Sequence, residues 1–323
     1  MVSVMGKRGL FLVWLCLVNI LPGMAQTEKL IDYVNPFVGT DGYGNVYPGA
    51  QIPFGGIQMS PDTDSKYYDA ASGYKYNHST LLGFSLTHLS GTGIPDLGDF
   101  LFISGTGEMK LDPGTREEPE KGYRSRYSHE KEWASPNYYA VELSDYGVKA
   151  EMTSGVRSGM FRFTYPQSDK AFIMIDMNHT LWQSCEWANL RMENDSTITG
   201  YKLVKGWGPE RHVYFTATFS KKLTGLRFMQ DKKPVIYNTS RFRSSYEAWG
   251  KNLMACISFD TKAGEEVIVK TAISSVSTNG AKNNMAELAG LTFDDLKAKG
   301  EALWEKELGK YTLTADRKTK RTF

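Results

Sequence analysis

The residues best suited to chemistry in this chain lie in "FSLTHLSGTGIPDLGD", Phe84 to Asp99. One imidazole, His88, is followed by Ser90, Gly91, Thr92 and Gly93, and then by Asp96 and Asp99. Glycines let a backbone come close to a ligand, and hydroxyls and an imidazole supply both donors and acceptors. A phosphate and a sugar both suit such a loop. Two more stretches share its character: "VNPFVGTDGYGNVYPGAQIPFGGIQMSPDT", with Gly39, Gly42, Tyr43, Gly44 and Gly49, and "YYDAASGYKY", with Tyr68 and Asp69. "GTDGYG" lacks the Lys-Ser/Thr pair of a P-loop and the following helix of a dinucleotide fingerprint. Taken singly, each stretch also reads as a tight turn at a sandwich rim. Asp96 and Asp99 either meet ligand hydroxyls or metal-bound water, or pin the backbone of the turn after them. His78, His129, His179 and His212 have no metal-ligand spacing and read as surface or packing residues.

The elements that must position these loops are mostly strands. From Gln26 to about Val276, short apolar runs alternate with Gly, Pro, Asn and Asp. Period two is clear in Met160–Tyr165 and in Val213–Phe219, which predicts a large antiparallel all-β sandwich. Gly105 to Pro136 is polar and reads as an irregular excursion. After Ser277 the period becomes helical: Leu288, Leu291, Leu296, Leu303, Trp304 and Leu308 form a stripe that must be buried against something. Thr292 with Asp295 resembles a capping box. Trp182, Trp187 and Trp207, with Arg211, fall in a loop-rich segment where they either line a distal part of a pocket or pack a sheet edge.

Bulk composition narrows the function. Lys and Arg total 38 against 36 Asp and Glu, a net +2, without the concentrated basic excess of a nucleic-acid binder. Lys7 and Arg8, the apolar run Gly9–Gly23, and the small residues Gly23 and Ala25 read as a secretory signal at residues 1–25, cut before Gln26. The apolar run is short for a membrane span, and no membrane association is expected after cleavage. Cys16 lies in that signal, leaving Cys185 and Cys256, enough for one disulfide and not spaced as zinc ligands. The expected location is the periplasm or the cell exterior.

Read in order, "YVNPFVGTDGYGNVYPGAQIPFGGIQMSPDT", "SGYKY", "GFSLTHLSGTGIPDLGD" and "FSKKL" resemble the N-terminal domain of glycoside hydrolase family 92. These are secreted, calcium-dependent exo-α-mannosidases common in gut Bacteroidetes that degrade N-glycans and yeast mannan. The resemblance runs from Leu30 to the end of the sequence and favours a sugar over a phosphate. It implies a galactose-mutarotase-like supersandwich at 26–276, linker helices at 277–311 and, at 312–323, the start of an (α/α)₆ barrel. In the family that barrel carries the catalytic acid and base and most ligands of Ca²⁺. No catalytic residue and no metal ligand is therefore assigned here. Without the barrel the chain is expected to be inactive, and a separately encoded barrel is one possible partner.

What the resemblance assigns to this domain is a pocket wall for a mannose-containing oligosaccharide, built from Gly42, Tyr43, Tyr68, Asp69, His88, Ser90, Gly91, Thr92 and Gly93. His88 either offers one ring nitrogen to a sugar hydroxyl while a neighbour holds the other, or is a structural histidine bonded to a backbone carbonyl. Tyr68-Asp69 stands where the family usually has Trp-Asp, so less ring area is available for stacking. The alternatives are a non-catalytic mannose-glycan-binding module and the remnant of a truncated gene. For the signal, the expected outcome is a mature N-terminus at Gln26 or its pyroglutamate in mass spectra of the exported protein. Recovery of Met1, or of a lipid on Cys16, would contradict that processing.

Overall fold

A computed structural model describes residues 28–66, 68–236 and 247–323. The signal segment and Cys16 lie outside the described residues, as does the Asp69 side chain. Two antiparallel sheets face each other. One has seven strands in the order Ser60–Asp62, Gly83–Ser85, Leu101–Thr106, Ser168–Asp176, Leu253–Thr261, Gly225–Gln230 and Lys233–Pro234. The other has nine: Glu247–Gly250, Ser184–Asn194, Thr197–Lys205, Arg211–Phe219, Glu265–Ser274, Ser158–Tyr165, Val148–Ser154, Tyr138–Leu143 and Glu132–Ser135. The architecture is the mainly β sandwich, followed by helices, that the alternation predicts.

Alternation places the core. Phe161 and Phe163 are buried on the inner face of the nine-stranded sheet, while Arg162 between them points away. Opposite them lie Phe84, Phe102, Ile173 and Ile257 of the seven-stranded sheet. Phe102 meets Phe161 with ring centroids 4.9 Å apart, within the range of favourable aromatic pairs. The central strands "FIMID" and "LMACISF" are apolar on both faces because the seven-stranded sheet is covered twice. Its outer side packs Leu101, Ile103, Phe172 and Met174 against Leu82 and Tyr123.

The polar stretch 105–136 is more ordered than its sequence suggests. The strand Leu101–Thr106 runs through Gly105, Ser125–Arg126 pairs with Thr80–Leu81, and Glu132–Ser135 forms the edge of the nine-stranded sheet. Strands of two to four residues are too short to show period two. Cys185 and Cys256 are unpaired and buried. Burial raises both thiols, that of Cys256 to about 12, and so leaves them unreactive.

Three helices follow the last strand: α1 (Thr278–Asn284), α2 (Phe293–Leu308) and α3 (Arg317–Thr322). The capping box forms as the sequence suggests: Asp295 N–H donates to Thr292 Oγ1 at 3.1 Å, and Thr292 N–H to Asp295 Oδ2 at 3.0 Å. The apolar stripe leans on the sandwich. Phe293 and Leu296 bury with Met160 and Leu288, and Trp304 Nε1 donates to the Gln51 carbonyl at 2.7 Å. Arg162 fastens the helix start. It grips Glu151 in a bidentate pair at 2.9 and 3.0 Å, reaches Asp294 at 3.1 Å, and lies 4.2 Å from the Phe293 ring centroid. Burial would raise the Glu151 carboxyl, but bonds from Arg162 and Tyr138 bring it down to about 2.

Helix α2 sits unusually close to the sheet at Gly300. A Cβ there would fall 1.7 Å from Asn137 Nδ2, and Asn137 is itself tied to Thr153 and Ser154 at 3.0 Å each. Gly300→Ala should therefore destabilise the chain by about 1–3 kcal/mol through overpacking, although alanine favours a helix interior by ~1 kcal/mol. Urea denaturation reads the sum. A higher midpoint in the variant would show that the helix does not dock this tightly.

Candidate functional site

The Gly-rich loops converge at one end of the sandwich. The Asn45 carbonyl is their meeting point: Gly91 N–H donates to it at 2.7 Å, and the Ser72 hydroxyl also bonds it. Tyr76 N–H donates to Thr40 O at 3.0 Å, and the Lys75 ammonium bonds the Gly42 carbonyl. A Cβ on Gly93 would come 3.1 Å from the Tyr68 hydroxyl, so the 88–98 loop touches the Tyr68–Ala70 turn. Gly42, Tyr43, Tyr68, Ser90, Gly91, Thr92 and Gly93 are thus brought together from three separated stretches. Tyr43 is 88% and Tyr68 54% exposed, and the small residues between them leave open backbone. Asp69 shares the Tyr68 turn by its backbone.

His88 takes a different place from its loop. Its side chain has no exposed surface, and both ring nitrogens are engaged. Nδ1 lies 2.8 Å from the Gln58 carbonyl oxygen, and Nε2 lies 2.8 Å from Asp62 Oδ1 and 3.1 Å from Ser85 Oγ. The ring therefore offers no free nitrogen to a sugar hydroxyl. Of the two readings the sequence allows, the geometry fits the structural one, with the carbonyl partner it names and a carboxylate besides.

Beneath the loops runs a chain of buried charge that no spacing in the sequence announces. Asp62 accepts from His88 on one oxygen and from His179 Nε2 on the other, at 2.7 Å. The His179 carbonyl accepts from Lys202 Nζ at 2.6 Å. Lys202, fully buried, lies 3.1 Å from Asp99 Oδ1. Asp99 also receives the Thr87 hydroxyl at 2.7 Å and Arg211 at 2.6 Å. Asp62 belongs to the seven-stranded sheet and Lys202 and Arg211 to the nine-stranded one, so the chain ties the sheets together under the 88–98 loop. Gly73 makes room for it: with φ +83°, a Cβ there would fall 2.0 Å from Asp62 Oδ1.

Several residues gain their roles only from this arrangement. Asp99 is spent on Lys202 and Arg211, while Asp96 pins its own turn through Leu97 N–H at 2.6 Å. His179 is a buried partner of Asp62, more than a packing residue. His78 is also buried, with Nδ1 2.9 Å from Thr63 Oγ1. His129 stacks on Tyr76 at 3.9 Å, and His212 meets Tyr201. The signal that could have found Asp62 and His179 is their polarity at the ends of apolar strands, but their 117-residue separation hides the pairing. Among the described residues no group of three or more His, Cys, Asp or Glu side chains is placed to hold a metal ion.

A two-sheet antiparallel sandwich with helices docked on its larger sheet and a rim of close-set Gly-rich loops defines the class by architecture: a large antiparallel β-sandwich domain. The glycosyl hydrolase family 92 N-terminal domain model matches residues 33–274, and the chain belongs to that family. A family GH92 alpha-mannosidase from Bacteroides thetaiotaomicron, also solved in complex with mannoimidazole, is 90% identical over 92% of this chain, with TM-score 0.90. A GH92 inverting mannosidase from Bacteroides thetaiotaomicron VPI-5482 shares the fold at 24% identity over 92% of this chain, with TM-score 0.76. This chain spans 40% of the first of these structures and 39% of the second. A secreted glycosidase of Arthroderma benhamiae, uncharacterized by name, is 30% identical over 148 residues, which make up 45% of this chain and 19% of that protein.

The buried carboxylates fix the acid response of the fold. Burial alone would raise Asp62 and Asp99. The charge of His88 and bonds from both histidines outweigh burial at Asp62, as do Lys202 and Arg211 at Asp99, and hold both carboxyls well below the usual range. With folded pKa values depressed, their contribution is complete above the unfolded value of ~3.9 and is lost as pH falls below it, at up to ~1.4 kcal/mol per pH unit for each group. Asp62→Asn should cost about 3–5 kcal/mol at neutral pH and flatten the loss between pH 4 and pH 3. Denaturant titrations at the two pH values check both. An unchanged acid slope in the variant would remove Asp62 from the account.

Proposed function

We propose that this chain supplies one wall of a mannoside pocket in a secreted family 92 α-mannosidase, and that its loops bind sugar without themselves moving protons. The observation that carries this reading is the convergence of Gly42–Asn45, Tyr68–Gly73 and Ser90–Gly93 on the Asn45 carbonyl, with two exposed tyrosines beside open backbone. Aromatic faces pack on the C–H face of a pyranose, and nearby polar groups then fix its orientation. Secretion is supported by the name of the Arthroderma relative and by the leader read in the sequence. Among the described residues no helix is long and apolar enough to cross a membrane.

The division of labour follows from the carboxylates. An inverting glycosidase needs an acid and a base about 6.5–9.5 Å apart with water between them. Near the loops Asp62 and Asp99 are buried in ion pairs, and Asp96 is bonded to its own turn. The acid and base belong, on this reading, to the barrel of the complete enzyme, on the same polypeptide or on a separate one. Among the described residues no group of three or more His, Cys, Asp or Glu side chains is placed to hold Ca²⁺. What this chain's residues do is bind, orient and exclude water beside the reacting centre. A mannose-glycan-binding role without catalysis is the second reading, favoured by the same locked carboxylates.

Titration of the ¹⁵N-labelled chain with methyl α-mannoside tests the wall. Shifts should cluster on the amides of the three loops, and Tyr68→Ala should weaken binding about 3- to 10-fold. The purified chain should release no mannose from an α-mannoside, with or without added Ca²⁺. Shifts that avoid these loops would remove the pocket wall, and hydrolysis by the isolated chain would place a catalytic carboxylate pair within it.

A further inference from the structure

On the far side of the 88–98 loop lies a cleft of about 610 Å³ between two exposed indoles, Trp182 and Trp207. Its volume is in the range of small-molecule sites, ~300–1,000 Å³. Trp182 is 62% and Trp207 68% exposed. Ile94 and Pro95, which continue directly from Ser90–Gly93, form its near edge.

The cleft is built rather than incidental. Leu181 N–H donates to Leu97 O at 2.9 Å, the Thr180 hydroxyl closes the turn on Gln183 O at 2.8 Å, and Gln183 Nε2 donates to Pro95 O at 2.7 Å. Gly206, beside Trp207, lies against the Gln183 side chain. Three loops are thereby fixed to one another. Within them Trp182 adopts φ +71°, a region that costs a bulky residue free energy, and yet its ring gains little burial in return. The Gln183 amide is oriented by Pro95, which leaves its Oε1 buried without a partner among the described residues.

The lining selects the ligand class. Glu186 and Lys205 offset each other in charge, and Glu186 is also paired with Lys251 at 3.0 Å, so neither an anion nor a cation is favoured. Two indole faces with amide and hydroxyl edges suit a neutral ligand with an apolar face and a polar rim, which is a pyranose. We propose that the Trp182–Trp207 cleft binds the non-terminal sugar units of an oligosaccharide whose terminal mannose rests at the Tyr68–Gly93 loops. This rests on the pocket-wall reading and adds the demand that the substrate be extended.

The full chain is titrated with methyl α-mannoside and with a linear α-mannotetraose, following the indole N–H signals of Trp182 and Trp207. The tetrasaccharide should bind at least about tenfold more tightly and move both indole signals. Trp207→Ala should abolish that gain and leave methyl α-mannoside affinity unchanged. Equal affinity for the two sugars, or a gain that survives both Trp207→Ala and Trp182→Gly, overturns the proposal while leaving the pocket wall intact. If methyl α-mannoside does not touch the Tyr68 loops but the tetrasaccharide still moves the indoles, the cleft stands as a saccharide site and the pocket-wall reading falls. Indole shifts caused by AMP or by a peptide, and by no saccharide, would overturn the sugar assignment.

Discussion

Asp62 is the carboxylate on which the rim depends. It is fully buried and bonded on one oxygen to His88 and on the other to His179. Burying a carboxylate is costly unless its lone pairs are filled, so the three side chains and the strands that carry them are bound to one geometry. Lys202, Asp99 and Arg211 extend the same constraint across to the nine-stranded sheet. A sandwich held only by Phe–Phe contacts has no reason to align the ends of its two sheets so closely, because apolar packing is non-directional. The charge chain supplies direction where the loops leave the sheets.

That footing explains why loops so rich in glycine can present a defined surface. Flexible residues lose much entropy on ordering, and a binding wall made of them is useful only if that cost is met before the ligand arrives. Here it is met by bonds from Gly91 N–H and the Ser72 hydroxyl into the Asn45 carbonyl and by His88, which anchors the start of its loop to Gln58 and Asp62. The residues that stay exposed, Tyr43, Tyr68, Ser90 and Gly91, stand above a layer in which Asp62, His88 and Asp99 are already paired.

The sandwich was legible because its strands are long enough to show period two, as at Met160–Tyr165, and the Thr292–Asp295 box because it is local. Glu132–Ser135 was not, since four residues at an edge carry too little pattern to set them apart from a polar loop. The loop residues could be gathered by family resemblance, and the structure sets most of them side by side. His88 shows the limit of that reading. Its place beside Ser90–Gly93 in sequence suggests a ligand contact, whereas its orientation is decided by Asp62, 26 residues earlier. Lys202 is harder still, for an alternating strand usually turns its lysines outward, and it is Asp99 together with the His179 carbonyl that makes an inward lysine stable.

The same economy of charge bears on the proton-transfer chemistry open to Asp62 and Asp99. A general acid must be free to exchange its proton, and its carboxyl is usually raised toward the working pH. Asp62 and Asp99 are pushed the opposite way by the cations around them, and their oxygens are filled. The arrangement that makes the rim rigid therefore removes Asp62 and Asp99 from proton transfer. Rigidity and catalysis compete for the same side chains here. Under the proposed pocket-wall role, that rigidity would let the loops hold a sugar still while carboxylates from another element act on it.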